Sequence, residues 1–242
     1  MPIYRPQLET GEIYHIFNRG VEKRKIFADK KDYFRFIHDL WEFNDQNAAL
    51  NTAYYLDFAH YRETFSIVEG EKPEREPRKL IVEILCFSLM PNHFHLLLRQ
   101  LVDGGISLFM RKLGGYPLYF NKKYNREGPL FQGRFKAVNI KTDAQSTAVV
   151  SYIHLNCVEL TEPKWKEKIF NPLAAIKFLE SYRWSSYLDY IEIKNFPSVI
   201  NKNFLTEVIG EPKEFKKMTE ENILNKAETN RLLENLEGLI LE

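Results

Sequence analysis

The chain has 242 residues, of which 44% are hydrophobic and 28% are charged, and its formal net charge is +1. This composition is typical of a globular protein and excludes a wholly disordered chain, and two cysteines are too few for a disulfide framework or a four-cysteine zinc site. No apolar run approaches the roughly 20 residues of a membrane span, and the first residues lack the apolar core of a signal peptide, so we expect a cytoplasmic protein with no membrane partner.

The N-terminal third of the chain predicts a strand, a helix and an insertion. Apolar residues alternate over residues 11–18, which indicates a strand. Asp29 is a suitable N-cap for a helix to about Phe43, because a broad apolar face at helical spacing follows it. Residues 44–79 combine a tyrosine-rich stretch with a charged, proline-containing run, so we interpret them as an insertion that includes a surface loop.

The middle of the chain predicts a hairpin, an interrupted helix and another strand. Residues 80–90 and 93–100 are mostly apolar strands, and the turn dipeptide Pro91-Asn92 separates them. A basic and aromatic helix over residues 107–124 is interrupted near residues 114–117, where glycine and proline are concentrated. A short strand follows at residues 134–141.

The last third of the chain predicts mainly helices. Asp143 caps a helix that runs to about Leu160, and a short helix before Tyr182 and a polar helical tail follow it. We therefore expect one domain over residues 1–190, with the insertion at about 44–79, and a C-terminal polar helical extension over residues 191–242. The order of the elements predicts an α+β fold, a ferredoxin-like sandwich in which helices cover an antiparallel sheet.

Charge is distributed unevenly along the chain. Residues 110–141 contain eight basic residues and one acidic residue, whereas residues 203–242 contain five basic and nine acidic residues. A basic segment that is also rich in tyrosine and phenylalanine favours a local site for a polyanion such as a nucleic acid. The alternative is an ordinary solvated helix face.

His93 and His95 begin a predicted strand, with Phe94 between them. Positions i and i+2 of a strand face the same side, so the two imidazoles can bind one ion while Phe94 faces the core. Neutral imidazole is a good ligand for Mn or Zn, and for Mg it needs oxygen ligands beside it. Alone the pattern is weak, because two half-exposed histidines at this spacing also arise by chance.

Tyr152 and Asn156 lie one turn apart on the predicted helix, so their side chains share a face. A phenol and an amide both need polar partners when they are buried, which argues against a purely structural position in the core. A boundary pair hydrated by water is the alternative. Tyrosine forms covalent intermediates in catalysis, and an ion held by two histidines and an amide oxygen would supply an electrophile beside it.

Five collinear stretches of the sequence resemble the HUH single-stranded DNA endonucleases, which are named for two histidines around a hydrophobic residue. The resemblance is closest to the single-tyrosine transposases of the IS200/IS605 type and, among these, to the REP-associated tyrosine transposases. The matching stretches are YHIFNRG (Tyr14–Gly20), LMPNHFHLLL (Leu89–Leu98), YFNKKYNREGPLFQGRFKA (Tyr119–Ala137), YIHLN (Tyr152–Asn156) and YRWSSY (Tyr182–Tyr187).

This resemblance implies a role for each candidate residue. His93 and His95 would bind a divalent metal, Mg or Mn, and Asn156 would be its third, polar ligand. Tyr152 would attack a phosphodiester of single-stranded DNA and form a 5′-phosphotyrosine link, which a DNA hydroxyl later reverses. The chain would then be a transposase that acts on single-stranded or hairpin DNA as a monomer or homodimer.

Basic residues of the segment over residues 110–136, together with Arg19, are the expected DNA contacts, because each can neutralise a phosphate. Phe131, Tyr119 and Tyr124 are candidates for stacking on unpaired bases, with core packing as the alternative. Glu159 stands where relatives often have arginine, which predicts weaker DNA contact there. The predicted DNA-binding residues are Arg19, Arg111, Lys112, Lys122, Lys123, Arg126, Arg134 and Lys136.

Two other functions compete with a metal-dependent nuclease. The first is a non-catalytic module that binds single-stranded nucleic acid on the same kind of sheet. The second is a zinc hydrolase, which predicts a third nitrogen, sulfur or carboxylate ligand and a general base. The sequence contains neither an HExxH nor a CxxC motif to support the second.

Overall fold

The computed structural model describes residues 6–49 and 77–225. In these ranges four strands form one sheet, and α-helices cover both of its faces. The elements are, in chain order, β1 (Ile13–Arg19), α1 (Lys30–Glu42), β2 (Val82–Met90), β3 (His93–Gln100), α2 (Gly105–Leu113), α3 (Tyr116–Lys123), β4 (Lys136–Ile140), α4 (Asp143–Leu155), α5 (Pro172–Leu179), α6 (Tyr187–Tyr190), α7 (Asn203–Ile209) and α8 (Pro212–Leu224).

The sheet has the strand order β2-β3-β1-β4, and every neighbouring pair is antiparallel. The turn at Pro91-Asn92 joins β2 to β3, so that Met90 pairs with His93. Strand β1 lies between β3 and β4, which is the arrangement of a ferredoxin-like sheet. The predicted α+β sandwich with an antiparallel sheet is therefore confirmed.

Each face of the sheet has its own hydrophobic core. Tyr14 and Ile16 of β1 belong to the core beneath α1, α2 and α3. Ile13 of β1 and Leu97 of β3 belong to the opposite core, which α4 and the C-terminal helices cover. Because side chains alternate along a strand, His15 faces the α4 side together with Ile13.

The helix ends follow from their capping residues. Asp29 caps α1 as predicted, and its carboxylate accepts a hydrogen bond from the backbone N–H of Asp32 in a capping box. The prediction that Asp143 caps the later helix is wrong: Thr142 has extended backbone angles, and its hydroxyl accepts from the N–H of Gln145. Helix α4 also ends at Leu155, where a 3₁₀ turn over Asn156–Leu160 replaces the predicted last α-helical turn.

The described part of the chain beyond residue 190 contributes to both cores: Phe196 and Val199 belong to the core beneath α1, α2 and α3, and α8 packs on the core that α4 covers. Phe215 and Ile223 of α8 are buried, and the Phe215 ring lies 5.9 Å from Tyr187 and 5.4 Å from Tyr190. The domain boundary at residue 190 stays a prediction. Most of the predicted insertion and the end of the acidic tail lie outside the described residues. Among the described helices, none combines the length and apolar character that crossing a bilayer requires.

Candidate active site

Strand register gathers the candidate side chains at one end of the sheet. Arg19 of β1 is directly opposite His93, and Phe17 is directly opposite His95 on one side and Lys136 on the other. Directly opposite residues of an antiparallel pair share a face. The start of β3, the end of β1 and the start of β4 therefore present these five side chains to the face that α4 covers.

The end of α4 brings Asn156 against His93. The amide Oδ1 of Asn156 lies 2.8 Å from Nε2 of His93, and Nδ1 of His93 lies 2.6 Å from Oδ1 of Asn92. A neutral imidazole has one N–H donor, so the tautomer that donates to Asn92 leaves a lone pair on Nε2 facing the Asn156 oxygen. Two neighbouring ligands of an octahedral Mg²⁺ ion, each bound at about 2.1 Å, lie roughly 3 Å apart. The spacing of these two atoms fits a shared ion.

His95 offers a second ligand nitrogen. Its Nδ1 lies 2.9 Å from Nε2 of His15, and its Nε2 is buried with no hydrogen-bond partner among the described residues. Burial is the main cause that lowers the pKa of His95 well below its ordinary value, and the neighbouring His93 adds to it. The imidazole is therefore neutral at physiological pH, which is the form that binds a metal. An orphaned, buried and neutral nitrogen of this kind fits a metal ligand.

Tyr152 lies on the last turn of α4, next to these groups. Its side chain is only 5% exposed, and its ring meets the His95 ring edge-on with centroids 5.5 Å apart. Two further neighbours contact the Tyr152 ring. The centroid of the Trp165 ring lies 6.0 Å from the Tyr152 ring centroid, and the Lys166 ammonium lies 5.7 Å from it. The candidate nucleophile and the candidate ligands thus lie together.

One pocket contains all four predicted chemical groups. With about 100 Å³ of space, it has room for about three water-sized groups at roughly 30 Å³ each, such as an ion and two waters. Four basic side chains and one acidic side chain line it, so it suits an anionic substrate. The lining residues are Phe17, Asn18, Arg19, His93, His95, Gln132, Gly133, Arg134, Lys136, Tyr152, Asn156, Glu159 and Lys166.

A second, more apolar groove shares part of its wall with this pocket. Asn18, Gly133 and Arg134 line both the pocket and the groove, whereas Arg111 of α2 lines the groove but not the pocket. Its floor is aromatic, with the Phe131 ring 5.7 Å from Phe94 in an edge-on contact. The groove is about 430 Å³ in volume, which suits a flat apolar group held beside a phosphate.

The predicted DNA-binding residues divide into two groups. Arg19, Arg134 and Lys136 line the pocket, and Arg111 lines the groove. The others do not line either cavity: Lys112 donates to backbone carbonyls of Asp45 and Asn47, and Lys123 forms ion pairs with Asp29 and Asp32. Arg126 bonds to Asn121 and Pro129, and Lys122 is exposed.

The structure also adds two residues that the sequence analysis did not assign to the site, His15 and Lys166. Alternation along β1 predicts that His15 and Phe17 share a face, but the pairing of β1 with β3 is what brings that face beside His95. Lys166 carries no local signal, since a loop brings it to the pocket. No cluster of three or more histidine, cysteine or acidic side chains suited to a metal occurs in residues 6–49 and 77–225.

Comparison with known proteins identifies a fold relative. No protein-family model and no curated protein matches the sequence. Among solved structures, a REP-associated tyrosine transposase bound to a REP hairpin matches with a TM-score of 0.50 and 15% identity, over 83% of this chain and 92% of that one. The resemblance expected from the five sequence stretches is thereby confirmed at the level of the fold. The chain has the fold of a REP-associated tyrosine transposase.

Proposed function

We propose that this protein is a metal-dependent single-stranded DNA endonuclease and strand transferase, a transposase that acts on hairpin-containing DNA. The observation that carries the proposal is that Tyr152 of α4 and Asn156 at its C-terminal end meet His93 and His95 of β3 in one basic pocket. A nucleophile, a set of metal ligands and a surface for phosphate are the three parts that the reaction needs.

The chain's own residues account for the covalent step. The phenolic oxygen of Tyr152 attacks the scissile phosphorus, a P–O bond to Tyr152 forms, and the bond from phosphorus to the 3′ oxygen breaks. The phenol gives up its proton as it attacks, the departing 3′ oxygen takes one up, and the 5′ phosphate remains on the tyrosine. A later attack by a 3′-hydroxyl reverses these bond changes, so strand transfer needs no outside energy source. A Mg or Mn ion held by His93, His95 and Asn156 would polarise the phosphate and neutralise developing charge.

The substrate side of the proposal rests on the basic and aromatic lining. Arg19, Arg134 and Lys136 can neutralise phosphates next to the nucleophile, and Arg111 can do so at the adjoining groove. An unpaired base fits the aromatic groove, where Phe131 would stack on it. The hairpin DNA bound by the fold relative supports hairpin DNA as the partner. All candidate groups come from one chain, so both a monomer and a homodimer are compatible with the site.

The alternative is a non-catalytic module that binds single-stranded nucleic acid. Its supporting observation is that the Tyr152 side chain is almost fully buried, as a structural core residue would be. The presence of an orphaned ligand nitrogen on His95 in the same pocket favours the enzyme instead.

A covalent-adduct assay separates the two functions. Hairpin oligonucleotides with single-stranded flanks and a 3′-end label are incubated with the protein and Mn²⁺, and a denaturing gel detects label linked to protein. We expect an adduct with the natural protein and none with Tyr152→Phe, while both bind the hairpin equally.

Tyr119→Phe is the matched control, because it removes the hydroxyl of a tyrosine that does not line the pocket. Adduct formation by Tyr152→Phe would exclude Tyr152 as the nucleophile. Hairpin binding with no adduct by the natural protein would support the binding module, and cleavage undiminished by a chelator would contradict the metal requirement.

A further inference from the structure

Lys166 lies in the loop between the 3₁₀ turn at Asn156–Leu160 and α5, and it lines the same pocket as Tyr152. Its ammonium lies 5.7 Å from the centroid of the Tyr152 ring. Its charge is also one of the causes that lower the pKa of His95. Lys166 is therefore close both to the proposed nucleophile and to a proposed metal ligand.

The loop holds Lys166 in place through its neighbour Trp165. The Trp165 side chain is 1% exposed and packs in the core that α4 covers. The backbone N–H of Trp165 donates to the backbone carbonyl of Glu162, and the Glu162 carboxylate accepts from the backbone N–H groups of Phe170 and Asn171. A lysine next to a buried tryptophan, in a loop closed by its own hydrogen bonds, keeps its Cα at the pocket edge while its stem stays flexible.

The basic residues of the pocket come from two sides. Arg19, Lys136 and Arg134 come from β1, β4 and the segment before β4. Among the described lining residues, Lys166 is the basic one that comes from the segment after α4, beside the nucleophile. Glu159 comes from that same segment and partly offsets the positive charge there. Among the basic residues that line the pocket, Lys166 is thus the nearest in sequence to Tyr152.

We propose that Lys166 is a catalytic residue of the phosphoryl transfer, whose ammonium binds a non-bridging oxygen of the scissile phosphate as Tyr152 attacks. The proposal rests on the proposed nuclease function. Negative charge on the phosphoryl oxygens is redistributed in the transition state, and a fixed cation in a partly buried pocket stabilises it more than one in water. Lysine serves this purpose as a point charge on a flexible stem.

The test measures the cleavage rate and DNA affinity separately. With hairpin DNA in excess over its Kd, single-turnover cleavage by Lys166→Met should be slower by about 100-fold, the loss typical when one preorganised charge-stabilising group is removed. Lys166→Arg should retain most of the rate. Lys168→Met is the matched control, because Lys168 is an exposed cation of the same loop that does not line the pocket. The Kd of Lys166→Met for the hairpin should rise no more than that of Lys168→Met.

Chemical rescue distinguishes a role of the charge from a structural role. In Lys166→Cys, 2-bromoethylamine alkylates the new thiol, with loss of bromide and a proton, and leaves an ammonium at the end of a lysine-like chain. The two natural cysteines, Cys86 and Cys157, are fully buried, and burial raises the pKa of both thiols, so they react slowly in the folded protein. The alkylated variant should recover most of the lost rate, whereas iodoacetamide, which adds a neutral group, should not restore it.

Each outcome bears on a separate claim. Absence of any adduct with the natural protein contradicts the nuclease function and, with it, the role of Lys166. An adduct with the natural protein together with a normal rate for Lys166→Met overturns the role of Lys166 alone. Equal recovery with the charged and the neutral reagent also overturns it, because the side chain would then act by filling space.

Discussion

Nε2 of His15 lies 2.9 Å from Nδ1 of His95, and the two imidazole rings stack with their centroids 5.0 Å apart. When Nδ1–H of His95 donates to His15, the lone pair of His95 resides on Nε2, the buried atom without a hydrogen-bond partner among the described residues. A hydrogen bond to the far nitrogen of a metal-binding histidine fixes its tautomer and its ring orientation. We therefore expect His15 to position His95 for the proposed metal.

The first prediction concerns His15. His15→Ala should raise the Mn²⁺ concentration required for half-maximal hairpin cleavage by about 10- to 100-fold, which is the usual effect of losing such a partner. His15→Gln keeps a hydrogen-bond acceptor at this position, so it should raise the required Mn²⁺ concentration by a smaller factor. Thermal melting of both variants checks that they fold. The same Mn²⁺ dependence for His15→Ala and the natural protein would contradict the positioning role.

The second prediction concerns the 2.8 Å contact between Asn156 and His93. Asn156→Ala removes the oxygen ligand and should weaken Mn²⁺ binding, whereas Asn156→Asp keeps an oxygen with added negative charge and should bind Mn²⁺ at least as tightly as the natural protein. Mn²⁺ titrations followed by electron paramagnetic resonance measure this without relying on cleavage. Equal affinities for the Ala and Asp variants would exclude Asn156 as a ligand.

Local periodicity was enough to predict which side chains of the candidate site share a face, and the family resemblance then joined the two pairs into one site. His93 and His95 face one side because a strand alternates, and Tyr152 and Asn156 share a face because a helix repeats about every 3.6 residues. Asn156 keeps this relationship even though the α-helix ends at Leu155, since its backbone N–H still donates to the carbonyl of Tyr152. The helix-end error therefore left the site prediction intact.

Contacts between distant segments could not be predicted in the same way. The pairing of His15 with His95 depends on β1 and β3 being neighbours in the sheet, which the sequence alone did not settle. Lys166 reaches the pocket only because the core buries Trp165. The same reason explains why the sequence predicts a phosphate contact at Lys123. Its ion pairs with Asp29 and Asp32 depend on the packing of α3 against the start of α1.

The third prediction concerns Glu159, which lines the pocket among four basic residues. Glu159→Gln removes the opposing charge, so the affinity for single-stranded DNA should rise at low salt and the difference should shrink as salt increases. Fluorescence anisotropy of labelled single-stranded DNA at several salt concentrations measures the affinity of each protein. Glu167→Gln, an exposed acidic residue that does not line the pocket, is the control. If both variants change the affinity equally, the effect reflects net charge and not the pocket.

Asp32 explains why part of the basic and aromatic segment serves the fold. Its carboxylate is buried and lies 2.6 Å from the ammonium of Lys123, and it accepts hydrogen bonds from the hydroxyls of Tyr119 at 3.1 Å and Tyr124 at 2.8 Å. Hydrogen bonds to Asp29 and Asp32 raise the pKa of Lys123 above its ordinary value although its desolvation opposes this. The cluster ties α3 to the start of α1.

The last prediction follows from this cluster. Lys123→Met leaves a buried carboxylate without its cation, so the free energy of unfolding should fall by about 1–3 kcal/mol, which is the usual penalty for an unsatisfied buried group. Lys122→Met, at the neighbouring exposed position, should change it by less than about 0.5 kcal/mol. Urea denaturation measures both values, and hairpin affinity is measured in parallel. A Lys123→Met variant of normal stability and weakened hairpin affinity would instead restore the sequence-based prediction that Lys123 contacts DNA.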